Sequence, residues 1–307
     1  MMQYYPEGQL IDTPKNRCAL RNATCIHEAC TTGQILEARA LVCDAAHNLI
    51  VDLGCMKGVI PREEGAIGIR EGTTRDIALI SRVGKPVCFV VTRLYCDEQG
   101  NPAALLSRRR AQEQCSRDYL SALCPGDIIP ARVTHLESFG AFCDIGAGNI
   151  ALTPIDAISV SRIAHPRDRF TPGDNIRAIV KSVDAQGRIS LSHKELLGTW
   201  KENARLFEQG QTVSGLIRSV EDYGIFVELT PNMAGLAESH PDAVPGQQAS
   251  VFIKSLIPEK MKVKLIIISA FEAEKTPAAL RYFYQGDTIR HWRYSPDCCD
   301  KTIESQF

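Results

Sequence analysis

One order of short β-rich runs and turn residues returns three times along this chain, and a chain that repeats one β grammar folds as copies of one small unit. Asp52-Leu53-Gly54, Asp144-Ile145-Gly146 and Glu228-Leu229-Thr230 each close a second strand. Val83-Gly84-Lys85, Pro172-Gly173-Asp174 and Pro245-Gly246-Gln247 each open a fourth. In the first copy the apolar, β-branched runs lie at 38–42, 49–54, 57–60, 87–91 and 104–107. Five strands separated by turn residues predict a small closed barrel. The same grammar occupies 127–192 and again 212–268.

The segments between the copies read differently. Residues 108–123 and 194–208 are rich in strong helix formers and stop at Cys124-Pro125 and Gln209-Gly210, so both predict helical connectors. Thr13-Pro14 offers an N-cap and a first helical position, and helix-compatible spacing runs from Arg17 to Ala29 before Thr31-Thr32-Gly33 stops it. The expected order is an N-terminal segment with a helix (1–32), a degenerate barrel (33–107), a connector (108–124), a barrel (125–193), a connector (194–209), a barrel (210–270) and a C-terminal extension (271–307). Within the extension, 272–284 reads as a helix and 288–294 as a strand. The latter mixes Arg290, His291, Trp292, Arg293 and Tyr294, which suits either a nucleic-acid surface or an edge strand packed on the third barrel.

Composition narrows the function. An apolar fraction of 44% and a charged fraction of 23% are those of a globular protein. A formal net charge of −1 argues against binding that rests mainly on phosphate neutralisation, so any nucleic acid must be held by local cations and stacking. Twelve cysteines include Cys25 and Cys30 and the adjacent Cys298-Cys299, but no matched pair of Cys-x-x-Cys halves. Unremarkable thiols are favoured over a zinc site, and neither a metal nor a cofactor is expected. Met1-Met2-Gln3-Tyr4-Tyr5-Pro6 has neither a basic start nor an apolar core, and no run of eighteen apolar residues occurs, so the expected compartment is the cytoplasm and no membrane partner is expected.

The middle copy carries the most specific pattern. Pro125-Gly126-Asp127 opens it, Phe139-Gly140-Ala141-Phe142 lies on its second strand, and Asp184-Ala185-Gln186-Gly187-Arg188 joins its fourth and fifth. This order resembles the S1 RNA-binding module, a five-stranded OB barrel. The fold class expected is therefore mostly β, with tandem OB-fold barrels of S1 type joined by α-helical connectors.

The resemblance implies that Phe139 and Phe142 stack unpaired bases, that Arg188 meets the RNA with Asp184 supporting its turn, and that Arg132 and His135 on the first strand, with Arg162 and His165 in the long connection, line the same face. Strict alternation would put residues 139 and 142 on opposite faces. Gly140 permits the irregularity that brings them together; otherwise one ring belongs to the core. A plain Asp184–Arg188 surface pair and solvated loop arginines at 162, 167 and 169 are the competing readings. Pro154 occupies a position where the family often has histidine, which removes one contact.

In the third copy Tyr223 and Phe226 match the aromatic pair, Glu238 stands at the histidine position, and Lys262 is the cation nearest the turn. The first copy has His47-Asn48-Leu49-Ile50 in place of the aromatic pair, so it suits protein contact better than RNA. Its glycine-rich run 65–72 lacks the spacing of a nucleotide loop. The expected function is non-enzymatic binding of single-stranded RNA, messenger or ribosomal, in translation or RNA handling, with the ribosome as a possible assembly. The alternative is a protein-interaction module that docks on the ribosome or a ribonuclease. No nucleophile–base pair, paired carboxylates or metal-ligand cluster recommends an enzyme.

Overall fold

The computed structural model describes residues 4–272 and 280–307. They form two compact units, one comprising the chain up to Leu123 together with Pro130–Arg132 and Asp144–Ile150, the other comprising the remainder.

The first unit opens with two short helices, α1 (Pro14–Ala19) and α2 (Ala23–Thr32), where the sequence suggests one. The break has a local cause: Asn22 is extended and its side chain accepts a hydrogen bond from the Cys25 amide at 2.9 Å, which starts a new helix. Gly33, at φ 63°, ends it. Strands β1 (Ile35–Cys43), β2 (Leu49–Asp52), β3 (Lys57–Ile60), β4 (Pro86–Cys96) and β5 (Pro102–Ser107) close a barrel in the order β1-β2-β3-β5-β4, with the short helix α3 (Ile77–Ile80) between β3 and β4. Leu36, Leu49, Phe89 and Leu106 fill it, and Ile26 of α2 belongs to the same core.

Helix α4 (Arg108–Asp118) follows directly, capped by the Ser107 hydroxyl. Its first residue is buried and paired: Arg108 Nε and Nη2 donate to the two carboxylate oxygens of Glu7 at 2.7 and 2.9 Å. Burial pushes the Glu7 carboxyl up, but Arg108 and Arg82 more than reverse this and hold its pKa below the usual value. Glu37 secures the same N-terminal stretch by accepting from the amides of Leu10 and Ile11 at 2.8 and 2.6 Å. Asp144 accepts from the amides of Glu7, Gly146 and Gly148 at 2.7, 2.9 and 3.0 Å.

The second barrel comprises β6 (Ile128–Glu137), β7 (Gly140–Asp144), β8 (Ile150–Pro154), β9 (Asn175–Val183) and β10 (Ile189–Ser192), ordered β10-β8-β7-β6-β9. After a 3-10 turn at Lys194–Leu197, a second connector helix α5 (Trp200–Ala204) follows; it is shorter than the helix expected over 194–208 because Gly198, at φ 87°, interrupts it. Strands β11 (Thr212–Glu221), β12 (Gly224–Thr230), β13 (Met233–Ala237), β14 (Gln248–Ile257) and β15 (Lys262–Phe271) close the third barrel with the topology of the first. In every barrel the third and fifth strands run parallel.

Within the second unit the third barrel's core continues into Leu196 and Trp200 of the connector and Ile289, Trp292 and Tyr294 of the tail. The strand expected at 288–294 is a short β16 (His291–Arg293) paired antiparallel with β17 (Glu304–Gln306). Most of the helix expected over 272–284 falls outside the described residues, and 280–284 are not helical.

Candidate nucleic-acid interface

The aromatic pair of the middle barrel depends on a backbone approach. A Cβ on Gly140 would sit 2.5 Å from the Thr153 carbonyl oxygen of β8, so only glycine lets the strands meet here. Phe139 precedes β7 and its carbonyl accepts from the Ile155 amide at 2.9 Å, which ties the start of β7 to the end of β8. Both rings consequently lie on one side: their centroids are 5.9 Å apart and their planes 89° apart, with Phe139 55% exposed and Phe142 half-buried. His135 extends the cluster, its ring stacked on Phe142 at 6.3 Å while Nε2 lies 2.6 Å from Glu137.

The third barrel repeats this geometry. A Cβ on Gly224 would lie 2.6 Å from the Ala237 carbonyl oxygen, and the Tyr223 and Phe226 rings meet at 6.1 Å and 85°. Tyr223 is 71% exposed. Phe226 faces Leu236, and Leu236 faces Lys264, so an aromatic, an aliphatic and a cationic residue form one row across three strands. The corresponding β8–β10 pair in the middle barrel is Leu152 opposite Ser190. Of the lysines that the sequence offers here, Lys254, Lys260, Lys262 and Lys264, register sets Lys264 opposite Leu236, and Lys262 and Lys264 are both exposed. Glu238, at the histidine position, lies 3.6 Å from Lys254.

The cations divide sharply. Arg188 is exposed, but its Nε donates to Asp184 at 2.7 Å, so the surface pair weighed against an RNA role is present. Hydrogen bonds from the Arg188 amide and from the Arg188 side chain hold Asp184 below the usual carboxylate range. Such an exposed pair is weak, and its guanidinium can exchange partners. Arg162 is exposed. His165 caps a 3-10 turn, its Nδ1 accepting from the Arg167 amide at 3.1 Å. Arg132 donates to the Glu7 carbonyl at 3.3 Å and therefore serves the N-terminal segment. Arg169 is withdrawn altogether: it is buried against Glu228 at 2.6 Å, and Glu228 also receives Arg218 Nε at 2.7 Å.

The first barrel has polar bonds where the others have rings. His47, at φ 62°, lies 3.5 Å from Asp76, which also pairs with Arg62 at 2.7 Å. The glycine-rich run that follows packs Ala66 and Ile69 against Leu79 of α3 and opens no helix of its own.

Residues 124–194 match the family model described as the S1 RNA binding domain. The chain carries an S1 RNA binding domain. It is 30% identical over 233 residues to the small ribosomal subunit protein bS1 of Leuconostoc lactis, which covers 73% of this chain and 51% of that one. Over 259 residues it is 29% identical to bS1 of Staphylococcus aureus, covering 79% and 63%. The chain thus spans about half to three fifths of the length of these curated relatives. A solved multidomain protein with nucleic acid binding domains from Streptococcus pneumoniae aligns at 15% identity and a TM-score of 0.25, covering 77% of this chain and 74% of that one. The matched S1 domain coincides with β6–β10 and contains the Phe139–Phe142 pair. Among the described residues no helix is long and apolar enough to cross a membrane, and no three His, Cys, Asp or Glu side chains converge as metal ligands would.

Proposed function

We propose that this chain binds single-stranded RNA, messenger or ribosomal, on the aromatic face of its second barrel, and that it acts in translation or RNA handling alongside the ribosome in the cytoplasm, as its bS1 relatives suggest. The observation that carries the reading is the exposed Phe139 ring set edge-on to Phe142 inside the matched domain. Such rings give unpaired bases a stacking platform worth about 1–3 kcal/mol per base. Arg188, at the turn between β9 and β10, supplies charge, with His135 beside Phe142 and Arg162 in the long connection. Tyr223, Phe226, Lys262 and Lys264 offer a second platform with point charges in place of a planar guanidinium. The role is one of binding, with no chemical step assigned. Titration of a labelled, unstructured oligoribonucleotide against the wild-type chain and its Phe139→Ala variant tests the reading.

The first barrel supports a second reading. It lacks the ring pair and exposes Leu41, Val42, Ile77 and Ile80, so it fits a protein contact on the ribosome or a ribonuclease better than RNA.

A further inference from the structure

Within the second unit the C-terminal tail runs from the entry of the second barrel into the core of the third. Along the second barrel it is held by its backbone. The Ile128 amide donates to the Asp287 carbonyl and the Ile289 amide to the Gly126 carbonyl, each at 2.8 Å, so Asp127 and Thr288 pair as an antiparallel bridge. Gly126, at φ 91°, admits the tail: a Cβ there would lie 2.1 Å from the Ile289 carbonyl oxygen. From β9, Arg177 donates through Nη1 and Nη2 to the carbonyls of Tyr284 and Gly286 at 2.8 and 2.6 Å, and its amide donates to the Tyr282 hydroxyl at 3.2 Å.

Beyond Arg290 the tail is held by burial. Ile289, Trp292 and Tyr294 share one core with Ile217, Val251 and Ile253 of the third barrel and Ile179 of the second. The Tyr294 carbonyl accepts the Trp200 amide at 3.0 Å, and the Tyr294 hydroxyl donates to the Asn232 carbonyl. Asn232, buried at the turn between β12 and β13, is where four parts of the unit meet. Its side chain accepts the Val160 amide from the long connection of the second barrel at 2.9 Å, and donates to the Lys194 and Gly198 carbonyls of the connector at 2.7 and 2.8 Å. Two barrels joined by a linker alone pivot about it; a core and a hydrogen-bonded node shared by both barrels, connector and tail oppose that motion. Phe139 and Tyr223 stay exposed outside this core.

We infer that the tail braces the second and third barrels into one rigid body, so that their two aromatic faces keep a fixed separation at which one RNA strand meets both. The last clause rests on the RNA-binding reading above; the brace itself does not. A second platform at a constant distance makes the second contact of a strand intramolecular, and the gain is largest when the reach of the strand matches the span. The tail residues are positioning residues: they set where the two ring pairs stand.

The test uses the full chain and two variants. Ile289→Asp puts a charge where the tail enters the shared core, and Arg177→Ala combined with Tyr294→Phe removes side-chain anchors while leaving that core filled. Amide relaxation measured by nuclear magnetic resonance reads a rotational correlation time for each barrel. The wild type should give one common time for the second and third barrels, and the variants shorter, unequal times. Two different times in the wild type, or a common time kept by either folded variant, would overturn the brace; if Ile289→Asp does not fold, the double variant decides alone. Unstructured RNAs of about 5 and about 20 nucleotides, close to one and to several barrel footprints, then read the shared strand. The wild type should bind the longer RNA about tenfold or more tightly than the shorter, and the variants should lose most of that advantage while holding the shorter RNA as the wild type does. An advantage equal in wild type and variants would overturn the fixed separation. Failure to bind either RNA, together with one common correlation time, would overturn the RNA reading and leave the brace standing.

Discussion

Phe139 and Phe142 stand three positions apart in the chain, yet their rings meet edge to face, because the glycine between them brings β7 against the carbonyl of Thr153. Phe139 is mostly exposed and Phe142 half-buried, so the two should respond differently to truncation. Phe139→Ala is expected to weaken RNA binding by about tenfold to a hundredfold while melting near the wild-type temperature. A fall in stability approaching the ~3–5 kcal/mol of a buried phenylalanine, with RNA affinity unchanged per folded molecule, would put that ring in the core.

Arg188 is argued to leave Asp184 for a phosphate. Arg188→Ala should therefore lower the slope of log affinity against log salt by about 0.7, the contribution of one phosphate contact on a single strand. Its stability should change by no more than about 0.5 kcal/mol, as for other surface substitutions. An unchanged salt slope would leave Arg188 as the partner of Asp184 alone.

Much of the fold was readable because it rests on local rules. The repeated strand runs marked three barrels, and Ser107, Thr13 and Thr199 cap helices close to where the composition changes. The aromatic pairs were legible too, since a glycine between two rings is a local signal. Tertiary pairing was not: nothing local distinguishes Arg169, buried on Glu228, from its exposed neighbour Arg167, or shows that Arg132 reaches Glu7. Register adds that Lys264 stands opposite Leu236, and of the two readings of 288–294, packing on the third barrel is the one that holds for Trp292 and Tyr294, which lie in its core.

The Arg169–Glu228 pair offers a stability test. Glu228→Gln would leave Arg169 buried without its counter-charge, and loss of one partner of a buried pair costs about 3–5 kcal/mol. Urea unfolding of the variant should show a loss of this order; a loss below about 1 kcal/mol would mean that water reaches the pair.

His193 predicts a pH dependence. Its Nδ1–H donates to the Ile158 carbonyl at 3.2 Å, so Nε2 accepts the Tyr282 hydroxyl at 3.2 Å and the ring is neutral. Burial lowers its pKa from 6.5 to about 4. Between these values the unfolded chain binds the extra proton, so stability falls as pH drops from about 6.5 towards 4, by up to about 3 kcal/mol from this one group, and is unaffected by it above that window. Denaturant melts at pH 7 and pH 4.5 should differ less in His193→Asn than in the wild type; equal differences would show that other groups govern the acid limb.

The central claim is that the second barrel holds unpaired bases by stacking. Fluorescence anisotropy with one labelled RNA, measured as an unstructured strand and again as a perfect duplex, tests it most directly, because paired bases in an A-form helix have no free faces to offer. The account predicts at least tenfold tighter binding of the single strand, a clear drop in that preference when Phe139 and Phe142 are both replaced by alanine, and its loss when Tyr223 and Phe226 are replaced as well. Equal affinity for strand and duplex, or a preference left unchanged by replacing Phe139 and Phe142, would contradict it.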